Sequence, residues 1–290
     1  MLYSWIFKEA LNLYRFVAID IDDTLINNEL DITEANKESI KAAINHGVLV
    51  TLATGRMFKS ALPYAKELGL DLPLITYHGA LIKTAVKGEV LYHKPVPLET
   101  TLQVVRLAKE KELHLNLYID DELIVEEENK YTDYYTKIAG VSLNPVGDLE
   151  NYLKQYPHKI PTKLTVVASE QMVKRLNYEF NQFFGQDLLV TESKSDFLEL
   201  THPEANKGDA VAKLAEIYNI PQSKTMAIGD SLNDISMIKT AGMGVAVENA
   251  RSKVKDVADT IVSANDESGV SEAIERFVLS DSGREMNGIN

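Results

Sequence analysis

Residues Arg15–Leu25 read RFVAIDIDDTL. Phe16 to Ile19 is an unbroken apolar run with Val and Ile, the pattern of a buried strand. It runs straight into three carboxylates, Asp20, Asp22 and Asp23. Carboxylates at the mouth of a buried strand repel one another and resist desolvation. A fold tolerates them there when a cation or a reaction needs them. Open α/β sheets bind ligands beyond the carboxyl ends of their strands. Asp20 and Asp22 lie two apart, so on extended chain their side chains leave on the same side.

On the C-terminal side, Thr33 reads as the N-cap of a helix from Glu34 to Asn45, closed by His46-Gly47. Val48 to Ala53 is a second buried strand, ending in Thr54-Gly55-Arg56. A helix to about Leu68 and a strand at Leu74 to Tyr77 follow, and this alternation signals a parallel sheet. Leu81–Thr84 and Glu89–His93 read as a hairpin through Lys87-Gly88. From about Pro95 the rhythm changes to helices with strands in pairs, an α+β unit that lasts to Thr201. Near His202 the first rhythm returns: Asn206-Lys207-Gly208 opens a helix, and Thr225–Ile228 is a strand ending in Gly229-Asp230. Asn233 reads as the cap of the helix after it. The expected fold is an α/β parallel-sheet core from residues 1–84 and 202–290, with an α+β domain inserted at 85–201.

Composition narrows the functions. The 290 residues contain no cysteine, which excludes disulfides, thiolate zinc sites, iron–sulfur clusters and a cysteine nucleophile. That fits a cytoplasmic location. Asp and Glu number 43 against 30 Lys and Arg, for a net charge of −13; such a surface disfavours nucleic acid. No apolar run is long enough for a membrane span. The opening MLYSWIFKEALNLYRF lacks the marks of a signal peptide and reads as an extension. The six histidines show no HxH or HExxH spacing, and no GxxxxGK[ST] is present.

Four strand ends of the core carry unusual groups: Asp20 with Asp22, Thr54, the Lys207 loop, and Asp230 with Asn233 and Asp234. In a parallel sheet these ends converge on one edge. Asp20, Asp22 and Asp230 can offer oxygen to a hard cation such as Mg2+. Lys207 can offer positive charge to a phosphate, and the Thr54 hydroxyl and backbone N–H groups can donate to it. The set suits in-line phosphoryl transfer, with Asp20 attacking phosphorus and Asp22 moving the proton. Taken singly each residue has a plainer reading: Thr54 a strand-end cap, Lys207 a solvated lysine, Asp23 a turn residue. Tyr131, Tyr134 and Tyr135 at helical spacing read first as a packed stripe.

The motifs match a family. Asp20-Ile21-Asp22-Asp23-Thr24-Leu25 resembles motif one of the haloacid dehalogenase superfamily. Thr54-Gly55-Arg56, Asn206-Lys207-Gly208 and Gly229-Asp230-Ser231-Leu232-Asn233-Asp234 resemble motifs two to four. The long insert and the phrase Ser263-Ala264-Asn265-Asp266-Glu267-Ser268-Gly269-Val270 resemble the Cof-type phosphatases. The resemblance implies a Rossmann-like core, the inserted α+β domain as a mobile cap, Mg2+ dependence and hydrolysis of small phosphorylated metabolites. It implies Asp20 as nucleophile and metal ligand, Asp22 as acid/base ligating through its carbonyl, and Asp230 as third ligand. Lys207, Asn233, Thr54, Gly55 and the Ile21 N–H would contact phosphate, with Asp234 and Arg56 in supporting roles. Two readings stay open beside it: a phosphomutase, and a phosphate-binding regulatory protein of low turnover. Sugar phosphates, flavin mononucleotide and pyridoxal phosphate all suit the class. Asp23 and His78 depart from the pattern, where glycine and asparagine are more usual.

Overall fold

The structure, a computed structural model, describes residues 13–280. Most of the N-terminal extension lies outside them. The chain divides into two compact units. One holds the residues up to Gly55, Ala61–Leu91 and those from Asn206 on; the other holds Arg56–Ser60 and Tyr92–Ala205.

The first unit begins with strand β1 (Phe16–Ile19), helix α1 (Glu34–Asn45) and strand β2 (Leu49–Leu52). Thr33 caps α1, its side chain accepting from the Asn36 N–H, as its residue type predicts. Helix α2 (Phe58–Glu67) leads to strands β3 (Pro73–Thr76), β4 (Leu81–Thr84) and β5 (Val90–His93). Here the structure departs from the expected parallel run. β3 touches β2 through the single parallel bridge Ala53–Ile75 and instead pairs antiparallel with β4. The cause is a reversal at Tyr77–Gly79, which folds β4 back along β3 at once.

In the second unit come α3 (Leu98–Glu110), β6 (His114–Ile119), β7 (Glu122–Val125), α4 (Lys130–Ala139), β8 (Leu143–Pro145) and α5 (Leu149–Gln155). They are followed by β9 (Lys163–Val167), α6 (Glu170–Phe184), β10 (Leu189–Lys194) and β11 (Phe197–Thr201). Its sheet runs β10-β11-β9-β6-β7-β8. Side chains alternate between the faces. Leu115, Leu117, Leu164, Val166, Leu198 and Leu200 enter a core with α3, α5 and α6. The opposite face carries Asn116, Tyr118, Lys163, Thr165 and Glu199, all buried. Lys163 Nζ pairs with Glu199 Oε1 at 2.9 Å and lies 4.8 Å from the Tyr118 ring centre. Tyr135 is buried against Tyr118 and Phe197, Tyr131 stacks on His114, and Tyr134 is exposed. β8 escapes a sequence reading because its three residues show no apolar alternation.

The first unit then resumes with α7 (Lys207–Ile217), β12 (Thr225–Gly229), α8 (Ile235–Thr240), β13 (Met243–Val247), α9 (Ser252–Lys255), β14 (Thr260–Val262) and α10 (Gly269–Ile274). The main sheet has the order β14-β13-β12-β1-β2, and its pairs are parallel. α7 packs on α8, and α1 on α10. β1 lies at the centre with every residue buried, which explains its unbroken apolar run. From β1 the chain steps to β2 on one side; from β12 it steps away through β13 and β14 on the other. The boundary of β1 and β12 is therefore the switch point, where open α/β sheets form their binding crevice. Ile19 pairs with Ile228, so Asp20 and Gly229-Asp230 emerge side by side.

The buried ion pair of the second unit sets a stability expectation. Removing one partner strands the other charge away from water. Lys163→Met should destabilise the protein by about 3–5 kcal/mol in urea unfolding, and adding Glu199→Leu should recover most of it. A loss under about 1 kcal/mol, the level of an exposed pair, would show that the pair is not sealed from solvent.

Candidate active site

The site is built where β1 and β12 end. The Asp20 N–H still donates to the Ile228 carbonyl at 3.0 Å, so Asp20 is held as the last rung of the ladder. Beyond it the chain makes a tight turn, closed when the Ile26 N–H donates to the Ile21 carbonyl at 3.1 Å. Asp23 sits in this turn in the left-handed region, φ 56° and ψ 11°. Aspartate tolerates that region better than most side chains, though less well than glycine. This is the physical content of the Asp23 departure. Its carbonyl accepts from Asn249 Nδ2 at 2.7 Å, and the Ile26 carbonyl accepts from Asn265 Nδ2 at 2.9 Å.

Lys207 opens α7 and is almost wholly buried, 1% exposed. Its Nζ donates to Asp20 Oδ1 at 2.5 Å and to Asp234 Oδ1 at 2.6 Å. Burial alone would lower the lysine pKa; the charges of Asp20 and Asp234 overcome this and raise it. The other Asp234 oxygen accepts the Asp230 and Ser231 N–H groups at 3.0 and 2.9 Å. Asp234 thus accepts three hydrogen bonds and serves as a bracket between Lys207 and the loop after β12. Asp230 accepts from Thr24 Oγ1 at 3.1 Å and Ser231 Oγ at 2.8 Å.

Asp20, Asp230 and Asp234 are all buried, and each places a carboxylate oxygen within 4.8 Å of the others'. Burial, and then the neighbouring carboxylates, push the Asp20 pKa well up despite Lys207. Burial and Asp234 raise that of Asp230 to about 6, against its two hydroxyl donors. Such a cluster keeps negative charge at a cost that a bound cation would relieve. The donors are oxygens, and Asp20 and Asp230 keep lone pairs for a ligand, so the residues fit a hard divalent ion. The Asp22 side chain is not in this cluster.

The remaining residues fall around it. Thr54 is buried, and its carbonyl accepts the His78 N–H at 3.0 Å. Gly55 lies against the His78 ring, and Asn233 Nδ2 donates to His78 Nδ1 at 3.1 Å. Asn233 does not cap a helix. It sits inside the short turn Leu232–Asp234, which Ser231 precedes as cap, because the Ser231 N–H is the group Asp234 captures. Arg56 belongs to the second compact unit. Sequence reading missed Thr24 and Ser231, the two hydroxyls that hold Asp230; each stands within a quoted motif, and the hydroxyl beside the aspartates was the available signal.

Buried carboxylates and a lysine at the switch point of a parallel sheet define a class: α/β enzymes whose centre takes a cation and an anion together. Comparison with known proteins gives the family. Residues 17–274 match the model for haloacid dehalogenase-like hydrolases. The 5-amino-6-(5-phospho-D-ribitylamino)uracil phosphatase YcsE of Bacillus subtilis (strain 168) is 30% identical over 270 residues, covering 91% of this chain and 96% of its own. YwtE of the same organism, which carries the same enzyme name, is 29% identical and covers 91% and 98%. A haloacid dehalogenase-like hydrolase from Bacteroides thetaiotaomicron superposes with a TM-score of 0.82 at 29% identity, covering 91% and 99%. The chain belongs to the haloacid dehalogenase-like hydrolase family, as a phosphatase. No described helix is long and apolar enough to cross a membrane.

Asp230 offers a direct check on the charge balance. Its ordinary pKa is 3.8 and its folded value about 6. Between those values the folded chain binds more protons than the unfolded one, so this group's contribution to stability is lost as pH rises through that window. In chelator, the Asp230 carboxyl carbon should titrate by NMR with a midpoint near 6, and a divalent cation should pull the midpoint down. A midpoint at the ordinary value in chelator would mean the cluster is open to water.

Proposed function

We propose that this phosphatase hydrolyses small phosphorylated metabolites with the help of Mg2+, through a phosphoryl group carried on Asp20. The observation that carries the reading is the Lys207 bridge to Asp20 and Asp234, with Asp230 beside it. Asp20 and Asp230, with the Asp22 carbonyl, would hold the ion. When bound, it supplies positive charge to the phosphate oxygens and to the acidic cluster.

The chain's own groups divide the work. An Asp20 oxygen attacks phosphorus, a P–O bond to Asp20 forms, and the bond to the leaving oxygen breaks. Asp22 enters with a proton and gives it to the leaving alkoxide. It then takes a proton from the water that attacks phosphorus and releases phosphate and Asp20. Lys207 neutralises charge on the transferring group. Thr54, Gly55, Asn233 and the Ile21 N–H hold its oxygens, and Asp234 keeps Lys207 in place. Residues Tyr92–Ala205 form the inserted cap. The names of YcsE and YwtE point to 5-amino-6-(5-phospho-D-ribitylamino)uracil as the substrate of those proteins; sugar phosphates, flavin mononucleotide and pyridoxal phosphate are the substrate class proposed here, and the cytoplasm the compartment.

Asp20→Asn should lower phosphate release from an aryl phosphate by a thousandfold or more, roughly 4 kcal/mol of barrier, while the fold survives. Excess chelator should silence the parent enzyme, and added Mg2+ should restore it. Phosphate release by Asp20→Asn near the parent rate would exclude the nucleophile, and full turnover in chelator would exclude the ion.

A further inference from the structure

The reversal between β3 and β4 is not an ordinary turn. Three residues in a row have positive φ: Tyr77 at 52°, His78 at 57° and Gly79 at 98°. For a buried aromatic residue this region is a genuine outlier, and such strain collects at functional sites. The turn touches three of the four loops of the site. The His78 N–H donates to the Thr54 carbonyl. A β-carbon on Gly55 would overlap the His78 ring, with Nε2 at 2.6 Å, so glycine there makes room for the imidazole. A β-carbon on Gly79 would overlap the Asn206 carbonyl oxygen, directly before Lys207. The ring itself then meets Asn233. With the Asn233 amide nitrogen facing the ring, Nδ1 of the neutral imidazole is the acceptor.

We propose that His78 is a positioning residue for phosphate binding: it accepts one N–H of Asn233 and thereby aims the carboxamide at the phosphate. The inference rests on the reading above, in which Asn233 contacts phosphate. The strained turn puts the imidazole in the notch over Gly55. Thr54, Gly55, Asn206 and Asn233 come from three distant loops, and the turn at 77–79 is the piece that registers them against one another.

Two substitutions separate the side chain from the backbone strain. His78→Gly and His78→Asn both accept positive φ readily. Only asparagine keeps an acceptor where Nδ1 now sits. The readouts are kcat, KM for an aryl phosphate, and the inhibition constant of inorganic phosphate, all with Mg2+. His78→Gly should raise KM and the phosphate constant about five- to tenfold, the scale of one hydrogen bond, with a smaller change in kcat. His78→Asn should restore phosphate affinity to within about threefold of the parent. In an Asn233→Ala background, His78→Gly should cause no further loss, because the coupled partner is gone. Parent-like phosphate affinity in His78→Gly would overturn the inference and leave the proposed reaction standing. So would losses that multiply in the double variant, or a His78→Asn no better than His78→Gly. Parent-like affinity in Asn233→Ala would remove Asn233 from the phosphate site, and the inference with it. The proposed reaction itself is tested separately, by Asp20→Asn and by chelation.

Discussion

A single ammonium group holds the active centre together. Lys207 Nζ lies between Asp20 and Asp234, at 2.5 and 2.6 Å, with 1% of the lysine side chain exposed. Buried charges at this spacing interact strongly, and removing one partner of such a group leaves the others unpaired in a poor solvent. Yet one lysine does not balance the set. Asp20, Asp230 and Asp234 gather within reach of one another, and the pKa of Asp20 is still pushed upward. The folded chain is thus built short of positive charge at the place where its strands converge. In the proposed reaction a divalent ion would supply what is missing, and a phosphate dianion would then be attracted to a centre that otherwise repels it.

The sheet order makes this cluster possible. β1 and β12 are neighbours although about two hundred positions separate them in sequence, as the pairing of Ile19 with Ile228 shows. Their ends deliver Asp20 and Asp230 to one spot, and α7 delivers Lys207 to the same spot. The supports come from further away still. Asn249 and Asn265 hold the carbonyls of Asp23 and Ile26, and the Asn265 N–H donates to Asn249 Oδ1 at 3.0 Å. The C-terminal phrase of the chain therefore braces the turn that carries Asp22. Neutral amides suit this task, since they hold the loop without adding charge to an overcharged centre.

Much of this was legible in the residue order, for a physical reason. A buried parallel strand must be apolar throughout, so FVAI announces β1, and carboxylates placed after such a run can be justified only by a ligand or a reaction. Asp20, Lys207, Asp230 and Asp234 were found together where their motifs implied. What was not legible depends on choices between distant partners. The residues of β3 read as a strand, but nothing in them says that its sheet partner is β4. That is decided by the left-handed Tyr77 and His78, and a bulky aromatic such as Tyr77 gives no sign of that conformation. Asn233 looked like a helix cap by type; the cap is Ser231, because Asp234 captures its N–H. Thr24 and Ser231 gain meaning only once Asp230 is seen between them. The short β8 follows its neighbour without any pattern of its own.

The claim that matters most is that the carboxylate paired with Lys207 becomes phosphorylated during turnover. Rapid acid quenching of enzyme mixed with substrate and Mg2+, followed by proteolysis and mass spectrometry, tests it directly. One phosphoryl group is expected on the peptide that contains Asp20, rising and decaying within a turnover and absent from Asp20→Asn. Phosphate released in a burst with that peptide unmodified at every time point would contradict it, and would transfer the attack from the carboxylate to water.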